Sequence, residues 1–132
     1  MAKDKHQRLT RNQSLVMDAL SSANAPVSAY TILDELRDAG IRAPLQVYRA
    51  VEKLQEMGLV HRLESLNAFI ACKHPDCKNQ EAAIFMICNA CGSASEVADK
   101  ALTKRLDKLA GKYAFSSNTS TVELRGTCSD CR

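Results

Sequence analysis

The chain has 132 residues, of which 45% are hydrophobic and 25% are charged, and its formal net charge is +3. This length allows one ordinary domain or two small ones, and no apolar run approaches the roughly 20 residues of a membrane-spanning helix. Residues 1–6 have no apolar stretch after their charges, so no signal peptide is expected and the predicted location is the cytoplasm. A uniformly basic protein is excluded, although Lys3, Lys5, Arg8 and Arg11 make the N-terminus locally basic.

The first part of the chain has the hydrophobic spacing of three short helices. The first helix is predicted over residues 9–23, where Thr10 and Gln13 form a capping-box pattern. The second begins after Ser28, a favourable N-cap residue. The third is predicted over residues 45–57 from apolar residues at helical spacing.

Two short alternating runs follow, at residues 59–64 and 68–72, and they predict a β-hairpin. If residues 66–67 are the centre of its turn, His61 and Cys72 are direct cross-strand neighbours with side chains on one face. Three short helices followed by a hairpin are the plan of a winged helix-turn-helix domain, which binds DNA.

The second half of the chain predicts a small αβ domain. Residues 84–88 are a short apolar run typical of a strand. Residues 97–113 have helical spacing that predicts an inward-facing stripe including Leu109, and residues 119–125 alternate like a second strand with Leu124 facing inward. A domain of about 50 residues is hard to stabilise without a metal or a partner chain. The fold class is therefore α+β, with three predicted parts: a winged-helix domain at residues 1–72, a hinge at 73–83 and an αβ domain at 84–132.

Six cysteines are the most informative feature of the composition, because clustered thiols in a reducing compartment more often bind metal or do redox chemistry than form disulfides. Cys88 and Cys91 form one CxxC motif, and Cys128 and Cys131 form another. Two such motifs can complete a tetrahedral zinc site, and four thiolates saturate the ion, so the predicted site is structural. The alternative is a pair of disulfides or a thioredoxin-like redox pair, but neither motif lies clearly at a strand-to-helix junction.

A second group of candidate metal ligands surrounds the hairpin and the hinge. Its members are His61, Cys72, His74, Cys77, Glu81 and Glu96. A thiolate combined with imidazole and carboxylate suits Zn²⁺ better than the harder Mn²⁺. The alternative is an exposed histidine, a small buried cysteine and solvated carboxylates. A site that joins hairpin and hinge would exist in one domain arrangement only, so metal binding could shift that equilibrium.

The face of the third predicted helix opposite its apolar stripe is polar, and it carries Gln46, Tyr48, Arg49, Glu52 and Lys53. Glutamine and arginine can each make bidentate contacts to base edges, while Lys53, Arg42 and the basic N-terminus, including Arg11, can contact phosphates. A solvated helix face is the alternative, but the preceding helix-turn and the following hairpin favour DNA binding. No nucleophile–base pair or phosphate-binding loop is evident in the sequence, so neither an enzyme nor a small-molecule substrate is predicted.

In their order along the chain, these motifs resemble the ferric uptake regulator superfamily of bacterial metal-dependent repressors. The resemblance covers nearly the whole chain and rests on Leu9-Thr10-Arg11-Asn12-Gln13, Val47-Tyr48-Arg49-Ala50, Gly58-Leu59-Val60, Cys88-x-x-Cys91-Gly92, Glu96-Val97 and Cys128-x-x-Cys131. Within the superfamily the chain is most similar to the zinc uptake regulators, because of Ser28-Ala29-Tyr30, Val60-His61 and the Cys72 that ends the hairpin.

The resemblance implies a cytoplasmic homodimeric repressor whose residues 84–132 form a dimerisation and structural-zinc domain. Such proteins bind operator DNA when loaded with zinc and repress zinc-uptake genes. Two zinc ions per chain are implied: a structural ion held by the four CxxC cysteines, and a regulatory ion held by His61, Cys72 and Glu96. Tyr30 and Arg49 are the implied DNA contacts.

The chain departs from the family pattern at two places. Where members have a histidine-rich stretch before the first CxxC motif, residues 78–83 read KNQEAA, so the fourth regulatory ligand falls at Glu81, with His74 and Cys77 as rivals. Gln46 stands where threonine is common, which bears on operator specificity. A sibling repressor responding to iron, manganese or peroxide is an alternative function. Others are a CxxC thiol redox sensor and a zinc-stabilised interaction module that does not bind DNA.

Overall fold

The structure is a computed structural model and describes residues 9–23, 25–72 and 82–132. The chain divides into two compact units, Met1–Ala71 and Cys72–Arg132. Within the described residues, every helix is too short or too polar to cross a membrane. The first unit contains α1 (Arg11–Ser22), α2 (Ala29–Leu36), a 3-10 helix (Arg37–Ala39), α3 (Pro44–Glu56), β1 (Val60–Leu63) and β2 (Ala68–Ala71).

The helices of the first unit begin where their capping residues predict. Thr10 Oγ1 accepts a hydrogen bond from the backbone N–H of Gln13 at 3.2 Å, and Gln13 Oε1 accepts one from the N–H of Thr10 at 3.1 Å. This is the predicted capping box, and it satisfies two backbone donors that the first turn of α1 leaves without partners. At α2, Ser28 Oγ accepts from the N–H of Thr31 at 3.2 Å. The predicted starts of the first two helices are thus explained by local hydrogen bonds.

One apolar core holds the three helices together. Its most deeply buried side chains come from all three helices and from the segments that follow α2 and α3: Val16, Ile32, Ile41, Val47, Val51, Leu54 and Val60. Each such burial stabilises the fold by about 1.5–3 kcal/mol. Because the apolar stripe of α3 faces this core, the opposite face of α3 is turned toward solvent.

The hairpin has a register that differs from the predicted one. β1 and β2 pair antiparallel with His61 opposite Ile70, so the prediction that His61 lies directly opposite Cys72 is wrong. The reason is the length of the turn: residues 64–67 all lie between the paired strands, and Asn67 takes a left-handed φ of 47°. Asparagine tolerates this conformation better than most residues. A two-residue turn at residues 66–67 would have paired His61 with Cys72. The observed turn pairs it with Ile70, two residues earlier in the chain.

The second unit is a three-stranded sheet with one helix. Its elements are β3 (Ala83–Cys88), β4 (Ala94–Val97), α4 (Lys100–Lys112) and β5 (Thr121–Gly126). The strand order is β4-β3-β5, with β4 antiparallel and β5 parallel to β3. Residue 97 was predicted to begin a helix, but it ends β4, a strand that the periodicity did not reveal. The helix begins later because Asp99 caps it, with Oδ1 accepting from the N–H of Leu102 at 3.1 Å.

The apolar residues of the second unit are only partly covered by the chain itself. Ile84 and Phe85 on the central strand are buried, and Phe85 is fully inaccessible. Of the residues predicted to face inward, Leu109 on α4 and Leu124 on β5 are instead 54% and 52% exposed. The prediction was wrong for these two because the described part of the second unit, three strands and one helix, supplies no further layer to cover them.

Candidate metal centre and DNA-binding face

The two CxxC motifs come together at one edge of the second sheet. Cys88 ends β3, and Cys91 lies in the turn that follows. β5 pairs parallel to β3, with Gly126 opposite Cys88, so the turn after β5 leaves the sheet at the same edge. That second turn carries Cys128 and Cys131. The four sulfur atoms all lie within 4.8 Å of one another.

The spacing of these sulfurs fits a tetrahedral zinc ion. Cys91 Sγ and Cys128 Sγ are 3.8 Å apart. Zinc–sulfur bonds of about 2.3 Å in a regular tetrahedron place neighbouring sulfurs about 3.8 Å apart. All four cysteines of the cluster are free thiols, so the cluster has the donor type, number and spacing of a structural zinc site.

Hydrogen bonds in the cluster favour the thiolate form that binds metal. The backbone N–H groups of Cys128 and Cys91 each donate to Cys88 Sγ at 3.4 Å, and they lower the pKa of Cys88 to about 6. The Ser93 hydroxyl, 3.1 Å from Cys91 Sγ, lowers the pKa of Cys91. Hydrogen bonding to the sulfurs of Cys128 and Cys88 raises the pKa of Cys131 to about 12. A bound divalent cation would displace that last proton.

Two predicted regulatory ligands meet within the second unit. Cys72 Sγ lies 3.7 Å from Glu96 Oε1, and both residues are half-buried. The Cys72 sulfur is in a disulfide in this structure, so it could bind a metal only after reduction to the thiolate. His61 is half-buried on β1 in the first unit. Three other predicted ligands or rivals lie outside the described residues: His74, Cys77 and Glu81.

The solvent-facing side of α3 carries most of the predicted DNA contacts. Arg49 and Lys53 are exposed there, with Lys53 Nζ 3.3 Å from Glu56 Oε2. Tyr48 is 40% exposed, and its ring meets that of Phe69 edge to face with the centroids 6.5 Å apart. Tyr30, on α2, is 64% exposed. Arg49, Lys53, Tyr48 and Tyr30 are thus all exposed to solvent.

Two further predicted DNA contacts have partners within the first unit. Gln46 Oε1 accepts hydrogen bonds from the backbone N–H groups of Arg42 and Ala43, at 2.9 and 3.1 Å. Arg11 Nη2 donates to the carbonyl oxygen of Ala39 at 2.7 Å. Sequence reasoning missed both roles. The first could have been found, because a glutamine three residues after a helix N-cap is half of a capping box.

Comparison with known proteins identifies the family of the chain. The model of the ferric uptake regulator family matches residues 4–125. The chain belongs to the ferric uptake regulator family. It is 35% identical to the zinc uptake regulation protein of Escherichia coli (strain K12) over 125 residues, which are 94% of this chain and 72% of that protein. It is 32% identical to the zinc uptake regulation protein of Mycobacterium tuberculosis (strain H37Rv) over 129 residues, 95% of each chain.

Solved structures of ferric uptake regulator family proteins share this fold. A zinc uptake regulator complexed with zinc and DNA is 32% identical, with a TM-score of 0.87 over 98% of this chain and 89% of that one. Holo XcZur is 40% identical, with a TM-score of 0.84 over 94% of this chain and 86% of that one. Members of the family are transcriptional regulators and not enzymes. The predicted family, the α+β fold class and the non-enzymatic role are confirmed.

Proposed function

We propose that the chain is a zinc-responsive repressor that acts in the cytoplasm as a homodimer, binds operator DNA when loaded with zinc and represses zinc-uptake genes. The approach of Cys72 Sγ to Glu96 Oε1, at 3.7 Å, is the observation that carries the choice of metal. Once Cys72 is reduced, a thiolate beside this carboxylate suits Zn²⁺ better than harder ions such as Mn²⁺. The relatives named zinc uptake regulation proteins support the same choice.

The structural zinc of this proposal is held by the four CxxC cysteines. The sulfur spacing at Cys91 and Cys128 supports it, and so do the N–H groups directed at Cys88 Sγ. Bound there, the ion would tie the turn after β3 to the turn after β5. A unit of this size benefits from such a cross-link because its own apolar core is small.

The regulatory zinc is held by His61, Cys72 and Glu96, with Glu81 as the fourth ligand and His74 or Cys77 as rivals for that place. His61 belongs to the first unit and Glu96 to the second, so an ion bound by both would favour one arrangement of the two units. Metal can shift such an equilibrium only by its difference in affinity for the two states. Ligands drawn from both units supply that difference.

DNA recognition is assigned to the exposed face of α3 together with Tyr30. Arg49 lies on this face, opposite the buried stripe that includes Val47 and Val51. An arginine so placed can contact guanine O6 and N7 in the major groove. Lys53 and Tyr48 would contact the phosphate backbone beside it, which positions the protein without reading sequence.

Homodimer formation is assigned to the uncovered apolar side chains of the second unit: Met86, Leu109, Tyr113, Phe115 and Leu124. Met86 and Leu124 are register partners on neighbouring strands, and exposed apolar side chains that lie together mark interaction sites. A second copy of the chain supplies the matching surface by symmetry. It also supplies a second α3 for the other half of an operator.

The proposed function is tested by titrating DNA binding with metals. The probe is the DNA upstream of the genes adjacent to this one, and the reduced chain is titrated separately with Zn²⁺, Fe²⁺ and Mn²⁺. Binding that saturates with zinc alone, at two zinc ions per chain by native mass spectrometry, supports the proposal. Binding driven by iron or manganese would assign a sibling regulator. Equal binding under strong chelation would overturn the metal response.

A further inference from the structure

Gln46 caps the N-terminus of α3 with its side-chain oxygen. The helix begins at Pro44, and its N-cap residue, Ala43, has no side-chain acceptor. Gln46 Oε1 accepts from the N–H of Ala43 at 3.1 Å and from the N–H of Arg42 at 2.9 Å. Two donors at the start of the helix therefore depend on this one oxygen.

The chemistry of the partners fixes which atom of the amide faces the backbone. Both partners are N–H groups, which only donate, so the atom that meets them must be the carbonyl oxygen. A flipped amide would set its NH₂ group against two donors. A carbonyl oxygen has two lone pairs, and both are used here. Nε2 is the group of Gln46 that is left to meet a base, and Nε2 can only donate.

This state of the side chain excludes the usual way in which glutamine reads adenine. That contact needs the oxygen to accept from adenine N6 while the nitrogen donates to N7. With its oxygen held by the backbone, the side chain presents donors alone. Guanine O6 and N7 and thymine O4 accept hydrogen bonds in the major groove, whereas cytosine N4 donates. Adenine N7 also accepts, but the neighbouring N6 amino group would face a second donor.

We propose that Gln46 is a donor-only base reader, which selects guanine or thymine rather than adenine at the base it meets. The proposal rests on the proposed DNA binding through α3. It adds that the base met by Gln46 in the operator presents a hydrogen-bond acceptor. Reaching an adenine in bidentate fashion would leave the N–H groups of Arg42 and Ala43 without their acceptor. The half-buried position of Gln46 also restricts the poses open to it.

The test is selection of binding sites from a randomised operator library by the zinc-loaded full chain. The wild type is compared with Gln46→Ala and Gln46→Glu, because glutamate keeps a capping oxygen but loses both donors. We expect one position in each half-site at which guanine or thymine is favoured about two- to tenfold, as one neutral hydrogen bond allows. Both variants should lose that preference. The negative charge of the glutamate weakens binding to every DNA sequence alike. It therefore does not alter the base preference, which is a ratio of the affinities for different bases.

Thermal unfolding separates the capping role from base reading. Gln46→Ala should unfold at a lower temperature than the wild type, whereas Gln46→Glu should match it, while both lose the same base preference. Two results would overturn the inference and leave the proposed function intact. One is that the wild type prefers adenine and the variants lose that preference, and the other is that the variants select the same bases as the wild type at every position. If the wild-type chain with zinc selects no DNA at all, the proposed function fails and the inference falls with it.

Discussion

Arg11 Nη2 donates a hydrogen bond to the backbone carbonyl of Ala39, 2.7 Å away and 28 residues along the chain. The carbonyl lies at the end of the 3-10 helix, where helix carbonyls lack partners and carry negative partial charge. A guanidinium donor is well suited to such a carbonyl. The next residue, Gly40, has a left-handed φ of 105° and turns the chain toward α3. Arg11 therefore ties the first residue of α1 to the turn that places α3.

Replacing this arginine should separate a bracing role from a phosphate contact. Arg11→Ala is expected to lower the stability of the first unit by about 1 kcal/mol and to weaken DNA binding without changing its salt dependence. The measurement is the slope of log affinity against log salt concentration. Each phosphate contact that is lost reduces this slope by about 0.9. Arg42→Ala, at an exposed residue near the start of α3, is the comparison and should reduce it. An equal reduction in Arg11→Ala would show a direct phosphate contact.

The four-cysteine cluster should lose its metal when one sulfur is removed. Cys128→Ser is expected to lose one zinc per chain and to unfold the second unit, since binding energy at a structural zinc site is folding energy. Native mass spectrometry measures the zinc, and thermal unfolding measures the stability. Ser129→Ala changes the exposed neighbour in the same turn and should keep both. Full zinc content in Cys128→Ser would remove the cluster as the structural site.

Zinc sensing should depend on the reduced thiol of Cys72. Because this sulfur is disulfide-bonded in the structure, we expect zinc-dependent DNA binding by the wild type after reduction and not after oxidation of this thiol. Cys72→Ala should keep the structural zinc but lack the zinc response under both conditions. Gel-shift titration with buffered zinc reports the response, and metal analysis reports the structural ion. A normal zinc response in Cys72→Ala would exclude this residue from the regulatory site.

Operator recognition should depend on Arg49. Arg49→Ala is expected to bind the specific operator about 5- to 150-fold more weakly, the range for loss of a bidentate contact to guanine, while folding and zinc content stay unchanged. Footprinting and competition with unrelated DNA measure the specific part of the affinity. Glu52→Ala alters the same exposed helix face without removing a predicted base contact, and it should keep specificity. If Arg49→Ala protects the operator like the wild type, α3 is not the reading helix.

Dimer formation should depend on the exposed apolar face of α4. Leu109→Glu places a charge where a side chain is 54% exposed in the single chain, and it should shift the chain from dimer to monomer in sedimentation experiments. Lys108→Glu alters the neighbouring exposed residue and is expected to stay dimeric. A dimer of unchanged strength in Leu109→Glu would place the contact elsewhere.

Features that depend on near neighbours in the chain could be predicted from the sequence. Thr10 and Gln13, which form the capping box, are three residues apart. The four metal-binding cysteines are recognised directly from the two CxxC motifs. Their chemistry is local, because side chains within one helical turn or one tight turn can meet in only a few ways. The first and third helices were therefore placed to within about two residues of their ends, the usual scatter of helix boundaries.

Features that depend on distant partners could not be predicted. The parallel pairing of β3 with β5 brings Cys128 beside Cys91, and periodicity does not specify which strands pair. The hairpin register at His61 depended on how many residues the turn took up. The hydrogen bond from Arg11 to Ala39 joins residues that packing alone makes neighbours. The sequence by itself determined the helices and strands other than β4, and which metal-binding chemistry is available. Only the tertiary structure decided which side chains meet, because loop geometry and core packing set those distances.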